Sequence, residues 1–122
     1  MKNRTLVCLS LGVLLGCMNG TGPAEDVSGQ WVASRVEFNL TLDLVQEGTS
    51  VRGSGTSWAF IYPPTRSYTI AGAYSRPSLT LTLTRDDTVH SSLTGTVRDA
   101  NHMLGVLTSG GRFSDTLTYV RQ

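Results

Sequence analysis

The sequence predicts an all-β domain of about eight antiparallel strands that run up and down as a meander and close into a small barrel. Leucines alternate with threonine or aspartate in residues 40–46 and 78–85, which is the pattern of a strand with one buried face. Turn-forming Gly, Asn, Asp and Pro recur at short intervals. No window after residue 17 has apolar residues at helical spacing. A two-sheet β-sandwich is the alternative, although sandwiches need longer crossing connections than these turns provide.

The N-terminal segment has the three regions of a secretory signal. Lys2 and Arg4 give a basic start, residues 6–15 form an apolar run, and small or apolar residues lead to Cys17. The apolar run is too short to span a bilayer, which takes about 20 residues. We therefore expect residues 1–16 to be a signal peptide that is removed.

The quartet Leu14-Leu15-Gly16-Cys17 resembles the lipobox of bacterial lipoproteins. The resemblance implies that Cys17 receives a diacylglyceryl group on its sulfur and begins the mature protein. It also implies a lipid-anchored protein of the bacterial cell envelope, at the outer membrane and facing the periplasm, since Met18 rather than an aspartate follows the cysteine. Two or more acyl chains on one residue anchor a protein stably, whereas a single chain does so only marginally.

The composition of the remaining chain excludes several classes of function. Cys8 lies in the signal and Cys17 in the lipobox, so the domain has no thiol for a disulfide, a metal site or a nucleophile. Without Lys2 and Arg4, eight arginines stand against nine carboxylates, and they are scattered singly instead of forming the basic stripe that nucleic acid requires. Residues 17–28 are rich in Gly, Asn, Thr and Pro, which predicts a flexible tether between lipid and domain.

The barrel domain is expected at residues 29–122, with its strands separated by turn signals. Gly, Asn and Asp at the turns supply the positive φ angles that tight hairpins need. Strands joined by short turns pair with their neighbours, and closing the meander removes both exposed edges. The turn signals lie at residues 46–49, 75–77, 85–88, 99–101 and 110–111. The predicted strands are residues 30–37, 40–46, 51–57, 67–74, 79–84, 92–98, 103–108 and 112–120.

Several glycines lie inside the predicted strands, where glycine normally weakens a strand. We expect them at sharp bends of the sheet or under large side chains such as Trp31, Tyr68 or Tyr74. These glycines are Gly53, Gly55, Gly72, Gly95 and Gly105.

The first strand opens with Gly29-Gln30-Trp31, which resembles the start of the lipocalin and avidin-like barrels, the calycin group. The run YTIAGAYS, with glycine between aromatic residues, is similar to an avidin strand. The resemblance implies a calycin-like barrel. It implies no ligand, because the sequence has no set of tryptophans like the one that lines an avidin pocket. Trp31 is expected to plug one end of the barrel as a core residue.

The two histidines are the candidates for catalysis or metal binding. His90 follows Asp86 and Asp87, and His102 follows Asp99, but neither group has the spacing of a known metal or Ser-His-Asp site. Both histidines are predicted to be solvated turn residues, because polar residues dominate turns. We expect no enzyme activity, no cofactor and no bound metal.

The segment SWAFIYPPTRSY, residues 57–68, is the best lead to a function. Its apolar residues crowd together where the chain turns, and the two prolines hold the loop extended because they cannot donate backbone hydrogen bonds. Aromatic residues spaced by two share one face of an extended chain. They either fold over the barrel end as a lid or stand exposed as a docking surface. The predicted binding residues are Trp58, Phe60, Tyr62, Arg66 and Tyr68.

Two functions are consistent with an aromatic loop at the barrel rim. The first is a module that binds a protein partner through the aromatic loop at the barrel rim; in architecture it looks like the small lipid-anchored barrels that inhibit lysozymes and proteases. The alternative is a calycin-like carrier, because an eight-stranded barrel can hold one small apolar ligand. The carrier requires an internal cavity that reaches the barrel mouth. The partner-binding module requires a filled barrel with Trp58, Phe60 and Tyr62 exposed around it.

Overall fold

The computed structural model of this protein describes residues 22–61, 64–110 and 113–122. Each strand in these ranges pairs antiparallel with the next, and β1 also pairs with β8, which closes the sheet into a barrel. The predicted all-β, up-and-down barrel is therefore confirmed, and the sandwich alternative is excluded. The strands are β1 (Gly29–Arg35), β2 (Phe38–Glu47), β3 (Ser50–Ala59), β4 (Thr65–Ser75), β5 (Ser78–Arg85), β6 (Thr88–Val97), β7 (His102–Ser109) and β8 (Phe113–Arg121).

The alternation of residues decides which side chains fill the barrel. Paired residues of antiparallel neighbours lie on the same face of a sheet, so Leu42 opposite Gly55 points inward, as does Leu81 opposite Leu93. The intervening threonines face outward, where their branched side chains fit the pleat. The fully buried side chains of the core are Val27, Trp31, Leu40, Leu42, Val51, Leu79, Leu83, Leu93, Val97, Met103 and Tyr119.

Two facing glycines make room inside the barrel. Gly95 and Gly105 lie opposite each other on β6 and β7. A Cβ on Gly95 would lie 2.7 Å from Met103 Sδ. A Cβ on Gly105 would lie 2.8 Å from Leu93 Cδ1 and 3.0 Å from Tyr119 Cε1. The aromatic ring over Gly105 is thus Tyr119, which is not one of the three residues predicted for this role from the sequence.

The hairpins place their turns alternately at two ends of the barrel. One end, the strap end, holds the β2–β3, β4–β5 and β6–β7 turns together with residues 22–28, which precede β1. The other end, the loop end, holds the β1–β2, β3–β4, β5–β6 and β7–β8 turns.

Residues 22–28 form a short strap on the strap end. Ala24 and Val27 are buried there within the core. The Trp31 indole Nε1 donates a hydrogen bond to the Val27 carbonyl oxygen at 2.9 Å, and the Tyr74 hydroxyl donates to the Ala24 carbonyl oxygen. Trp31 is fully buried, so the prediction that it plugs one end of the barrel is confirmed.

The last residues of the predicted tether belong to the folded domain. Because Val27 fills the barrel end, the last residues of the 17–28 segment are packed with the domain and do not form a freely moving linker. The earlier part of that segment, Cys17 included, and the predicted signal peptide at residues 1–16 lie outside the described residues. Within the described ranges, no helix has the length and apolar character needed to cross a membrane.

Arg121, at the end of β8, ties the strap to the barrel. Its guanidinium carbon lies 4.6 Å from the centroid of the Trp31 ring. Its Nη1 donates to the Ser28 carbonyl oxygen at 2.7 Å and its Nη2 to the Asp26 carbonyl oxygen at 2.8 Å. Its Nε donates to the Ala100 carbonyl oxygen, in the β6–β7 turn, at 2.8 Å. One side chain therefore joins the strap, the core tryptophan and a neighbouring turn.

Candidate functional site

The residues predicted to form the binding site divide between two faces of the barrel wall. In the β3–β4 ladder Trp58 lies opposite Thr65, whereas Ser57 lies opposite Arg66. Because successive residues of a strand point to opposite faces, Trp58 faces outward and Arg66 faces inward. Tyr68 is also on the inner face and is buried. Phe60 lies beyond β3 on the outer side and is exposed, while Tyr62 lies outside the described residues.

The outward group is an aromatic pair at the β3–β4 turn. The ring centroids of Trp58 and Phe60 are 5.2 Å apart, and the ring planes are tilted by 55°. This separation is within the range of favourable aromatic pairs. The turn is held by hydrogen bonds from the Ala59 amide to the Pro64 carbonyl oxygen at 2.9 Å and from the Ile61 amide to the Ala59 carbonyl oxygen at 2.8 Å. The pair is thus presented on a fixed turn.

Further apolar side chains are exposed at the same end. Phe60 is 72% exposed, Val36 in the β1–β2 turn is 89% exposed and Val89 near the β5–β6 turn is 65% exposed. Together with Ile61, which is also exposed, we call these residues the apolar rim. The sequence analysis missed Val36 and Val89, although an apolar residue at a turn position is a readable signal in both cases.

Inside the loop end lies a small cavity of about 60 Å³. Its floor is apolar and includes Leu40, Leu83 and Leu107. Its walls carry one imidazole, that of His90, and several hydroxyl groups. The hydroxyl groups belong to Ser57, Tyr68, Ser91 and Ser109.

The polar groups of the cavity are hydrogen-bonded to one another. Ser57 Oγ lies 3.0 Å from the Tyr68 hydroxyl oxygen. Ser91 Oγ lies 2.9 Å from Ser109 Oγ and 2.7 Å from His90 Nδ1. The Tyr68 and His90 rings are in contact, with centroids 5.2 Å apart.

His90 reaches the cavity because of a β-bulge. It was predicted to be a solvated turn residue, and that prediction is wrong: β6 begins at Thr88 and not at residue 92, and His90 is half-buried. The β5–β6 register pairs Leu83 with Ser91 and Thr84 with Val89, which leaves His90 as the extra residue. A bulge re-aims the side chain that it adds, so His90 and Ser91 both line the cavity.

Two arginines act on the histidine of the cavity. Burial, followed by the charges of Arg66 and Arg85, lowers the pKa of His90 below its usual value of 6.5. Neither guanidinium has a carboxylate oxygen within 4.0 Å among the described residues. Arg35, at the same end, instead pairs with Asp115 at 2.9 Å.

The second histidine belongs to an ordinary turn. His102 lies at the strap end and is exposed, as predicted, and its Nδ1 is 2.9 Å from Asp99 Oδ1. The Asn101 amide donates to the same carboxylate at 2.8 Å, and this bond, followed by that of His102, lowers the pKa of Asp99. Across the described part of the chain, no group of three or more His, Cys, Asp or Glu side chains is arranged to hold a metal ion.

The arrangement at the loop end suits binding. It combines an exposed apolar rim with a small polar cavity whose histidine lies near two arginines. No protein-family model, curated protein or solved structure matches this chain. The eight-stranded antiparallel barrel itself is consistent with the calycin-like resemblance of the first strand.

Proposed function

We propose that this protein is a lipid-anchored protein of the bacterial cell envelope that binds a protein partner with the loop end of its barrel and has no catalytic role. The observation that carries the proposal is the apolar rim: large apolar side chains stand exposed at or beside turns at one end of a barrel whose interior is packed with apolar side chains apart from a small cavity.

Exposed apolar residues grouped at one end of a domain are typical of docking surfaces. Aromatic side chains dominate the binding energy of protein interfaces, and the Trp58–Phe60 pair supplies two of them. Loops held by a rigid scaffold lose little conformational freedom on binding, and the hydrogen bonds of the β3–β4 turn favour this arrangement. Together these features support a pre-formed contact surface.

The position of the strap indicates how the proposed lipid anchor would orient the barrel on the membrane. Cys17 precedes the first described residue, Gly22, by only five positions, which an extended chain spans in about 17 Å. A lipid on Cys17 would therefore hold the strap end near the membrane. The loop end would face away from the membrane, toward partners in the periplasm.

The carrier alternative has less support. Pockets for small organic ligands measure roughly 300–1,000 Å³. The cavity at the loop end is about 60 Å³, because leucines from β2, β5 and β7 occupy the space beneath it. A cavity of this size has room for a small polar group and not for a lipid or an aromatic compound.

Site-specific photo-cross-linking tests the proposed docking surface. A photoreactive phenylalanine analogue replaces Phe60 in one variant and Val45 in the control, since Val45 is 60% exposed but lies on the barrel wall. In cells of the native host, we expect a discrete cross-linked product at position 60 and none at position 45. Equal products at both positions, or none at either, would contradict the proposal.

The anchor is tested separately. In the host, a radiolabelled fatty acid should be incorporated into the wild-type protein and not into Cys17→Ser, and only the wild type should remain with the membrane fraction. Incorporation that persists in Cys17→Ser would remove the lipidation proposal and leave the docking surface untouched.

A further inference from the structure

A buried cationic donor at the loop end has no hydrogen-bond partner in the part of the chain that the structure describes. Arg66 is on the inner face of β4, and its Nε is buried and makes no hydrogen bond among the described residues. A buried donor that loses its water without gaining an acceptor destabilises the folded protein, and more so when the group is charged. A ligand that accepts a hydrogen bond here would remove this cost.

Neither Arg66 nor Arg85 forms an ion pair with a carboxylate of the described residues, although Glu37, Asp86 and Asp87 lie in turns at the same end. All nine carboxylates of the sequence lie inside the described ranges. None has an oxygen within 4.0 Å of Arg66 or Arg85. The charge of both arginines reaches His90, because both lower the pKa of its imidazole. Among the described residues Arg66 therefore has no carboxylate partner, and a ligand can supply the acceptor.

The adjoining cavity supplies further donors. Ser57 and Ser91 are buried, and each hydroxyl is already within hydrogen-bond distance of another hydroxyl in the wall. In the Ser57–Tyr68 pair one hydroxyl hydrogen is free to turn toward a ligand while the bond between them is kept, and the Ser91–Ser109 pair offers another when His90 Nδ1 carries the proton. The cavity of about 60 Å³ admits a planar group with two oxygens and excludes a bulky anion.

We infer that the loop-end cavity is a carboxylate subsite, in which Arg66 and the wall hydroxyls bind a carboxylate carried by the protein partner. The inference rests on the proposed function for the origin of the carboxylate, which is an acidic side chain or a C-terminus. Arginine and carboxylate groups match in geometry and form charge-assisted hydrogen bonds. The apolar rim at the same end contacts the rest of the partner.

Acetate is the simplest probe, and the two histidines of the chain report on it independently. The full-length chain in detergent is titrated with sodium acetate at constant ionic strength, with chloride as the balancing anion, while the imidazole signals are followed by NMR. Bound acetate offsets the field of Arg66 and Arg85, so the pKa of His90 should rise. His102, at the strap end beside Asp99, should not respond.

Matched variants identify the residue responsible. Arg66→Gln should weaken acetate binding about tenfold or more, since charge-assisted hydrogen bonds are among the stronger ones. Arg52→Gln, which removes an exposed arginine paired with Glu47 on the barrel wall, should change it less than about twofold. If Arg66→Gln does not fold, Arg85→Gln provides a second test, because the charge of Arg85 also lowers the pKa of His90. An unmoved His90 signal, or equal binding by Arg66→Gln and Arg52→Gln, overturns the subsite.

The origin of the carboxylate is tested with a pair of short N-acetylated peptides that have uncharged side chains, one ending in a free carboxylate and one in an amide. Binding of the free acid but not of the amide supports a protein-borne carboxylate. Binding of acetate but of neither peptide overturns that origin. The two proposals fail separately: a position-60 cross-link without acetate binding removes only the subsite, and acetate binding without a cross-link removes only the docking surface.

Discussion

The strap end and the loop end are built by the same eight strands but are completed in different ways. At the strap end a tryptophan, a tyrosine and an arginine each have partners, and the strap covers the core. At the loop end an arginine donor has no partner among the described residues, burial and positive neighbours lower the pKa of a histidine, and apolar side chains stand in solvent. The contacts that close the barrel are therefore concentrated at one end and the exposed apolar side chains of the proposed docking surface at the other, and substitutions at the two ends should differ in kind.

The largest contrast is expected between the two tryptophans. Trp31→Ala removes a fully buried side chain and its hydrogen bond to Val27, which should lower the free energy of unfolding by about 3–5 kcal/mol. Trp58→Ala at the loop end should cost about 1 kcal/mol or less, because its half-buried ring packs mainly on Phe60. Urea denaturation of both variants measures the difference. Similar losses would show that the two ends do not differ in this way.

Arg121→Gln should destabilise the protein by about 1–2 kcal/mol, since three backbone carbonyl oxygens lose a charged donor and Trp31 loses its cation. The effect should be local to the strap, so the Val27 amide, which donates to the Gln46 side chain, should exchange faster with solvent. Arg76→Gln is the control at the same end. Its guanidinium reaches Glu25 only at 4.0 Å on the surface, and its loss should cost less than about 0.5 kcal/mol. Unchanged exchange at Val27 in Arg121→Gln would argue against the strap as described.

Two tyrosine substitutions should have opposite signs. Tyr68→Phe leaves the buried Ser57 hydroxyl without its partner and should destabilise the protein by about 1 kcal/mol. Tyr119→Phe removes a buried hydroxyl for which the described residues offer no partner, so it should be neutral or stabilising by up to about 1 kcal/mol. Burial, together with the nearby Asp115, also raises the pKa of Tyr119, which keeps this hydroxyl neutral. Thermal unfolding of both variants checks the signs, and equal destabilisation would contradict the assignment.

The smallest expected effect is a dependence of stability on pH that arises at the loop end. The pKa of His90 is lower in the folded protein than its value of about 6.5 in an unfolded chain. As the pH falls below about 6.5, the unfolded chain takes up this proton first, so stability decreases until the folded His90 also becomes protonated. Above that pH its contribution is fully present. Stability measured between about pH 7 and pH 5 should fall less steeply in His90→Gln than in the wild type, and identical slopes would exclude His90 as the cause.

The predicted binding residues show where sequence reasoning reached its limit. Their spacing by two correctly grouped Trp58 with Phe60, because the alternation of a strand is local. It did not show that Arg66 and Tyr68 belong to the opposite face of the wall. That division depends on the β3–β4 register, which the turn between the strands sets and the sequence pattern does not state.

His90 is the residue that sequence reasoning misplaced. Its neighbours Asp86 and Asp87 are turn-forming residues, and the prediction extended the turn to include it. The bulge that carries His90 inward arises from the pairing of β6 with β5 and has no local signature of its own. Ser57, Ser91 and Ser109 were missed for the same reason, since a serine facing a cavity cannot be distinguished in sequence from a serine facing solvent.

The sequence by itself determined the class of this protein. Leucine and threonine in strict alternation, with turn residues between the runs, leave a meander of strands as the arrangement that buries the apolar face and pairs the backbone. Only the tertiary structure decided that the strap closes one end, that a bulge brings a histidine to the other, and that an arginine donor is buried there without a partner in the described ranges. The physical reason is that alternation acts between adjacent residues, whereas strap, bulge and cavity arise where strands distant in sequence meet around a closed barrel.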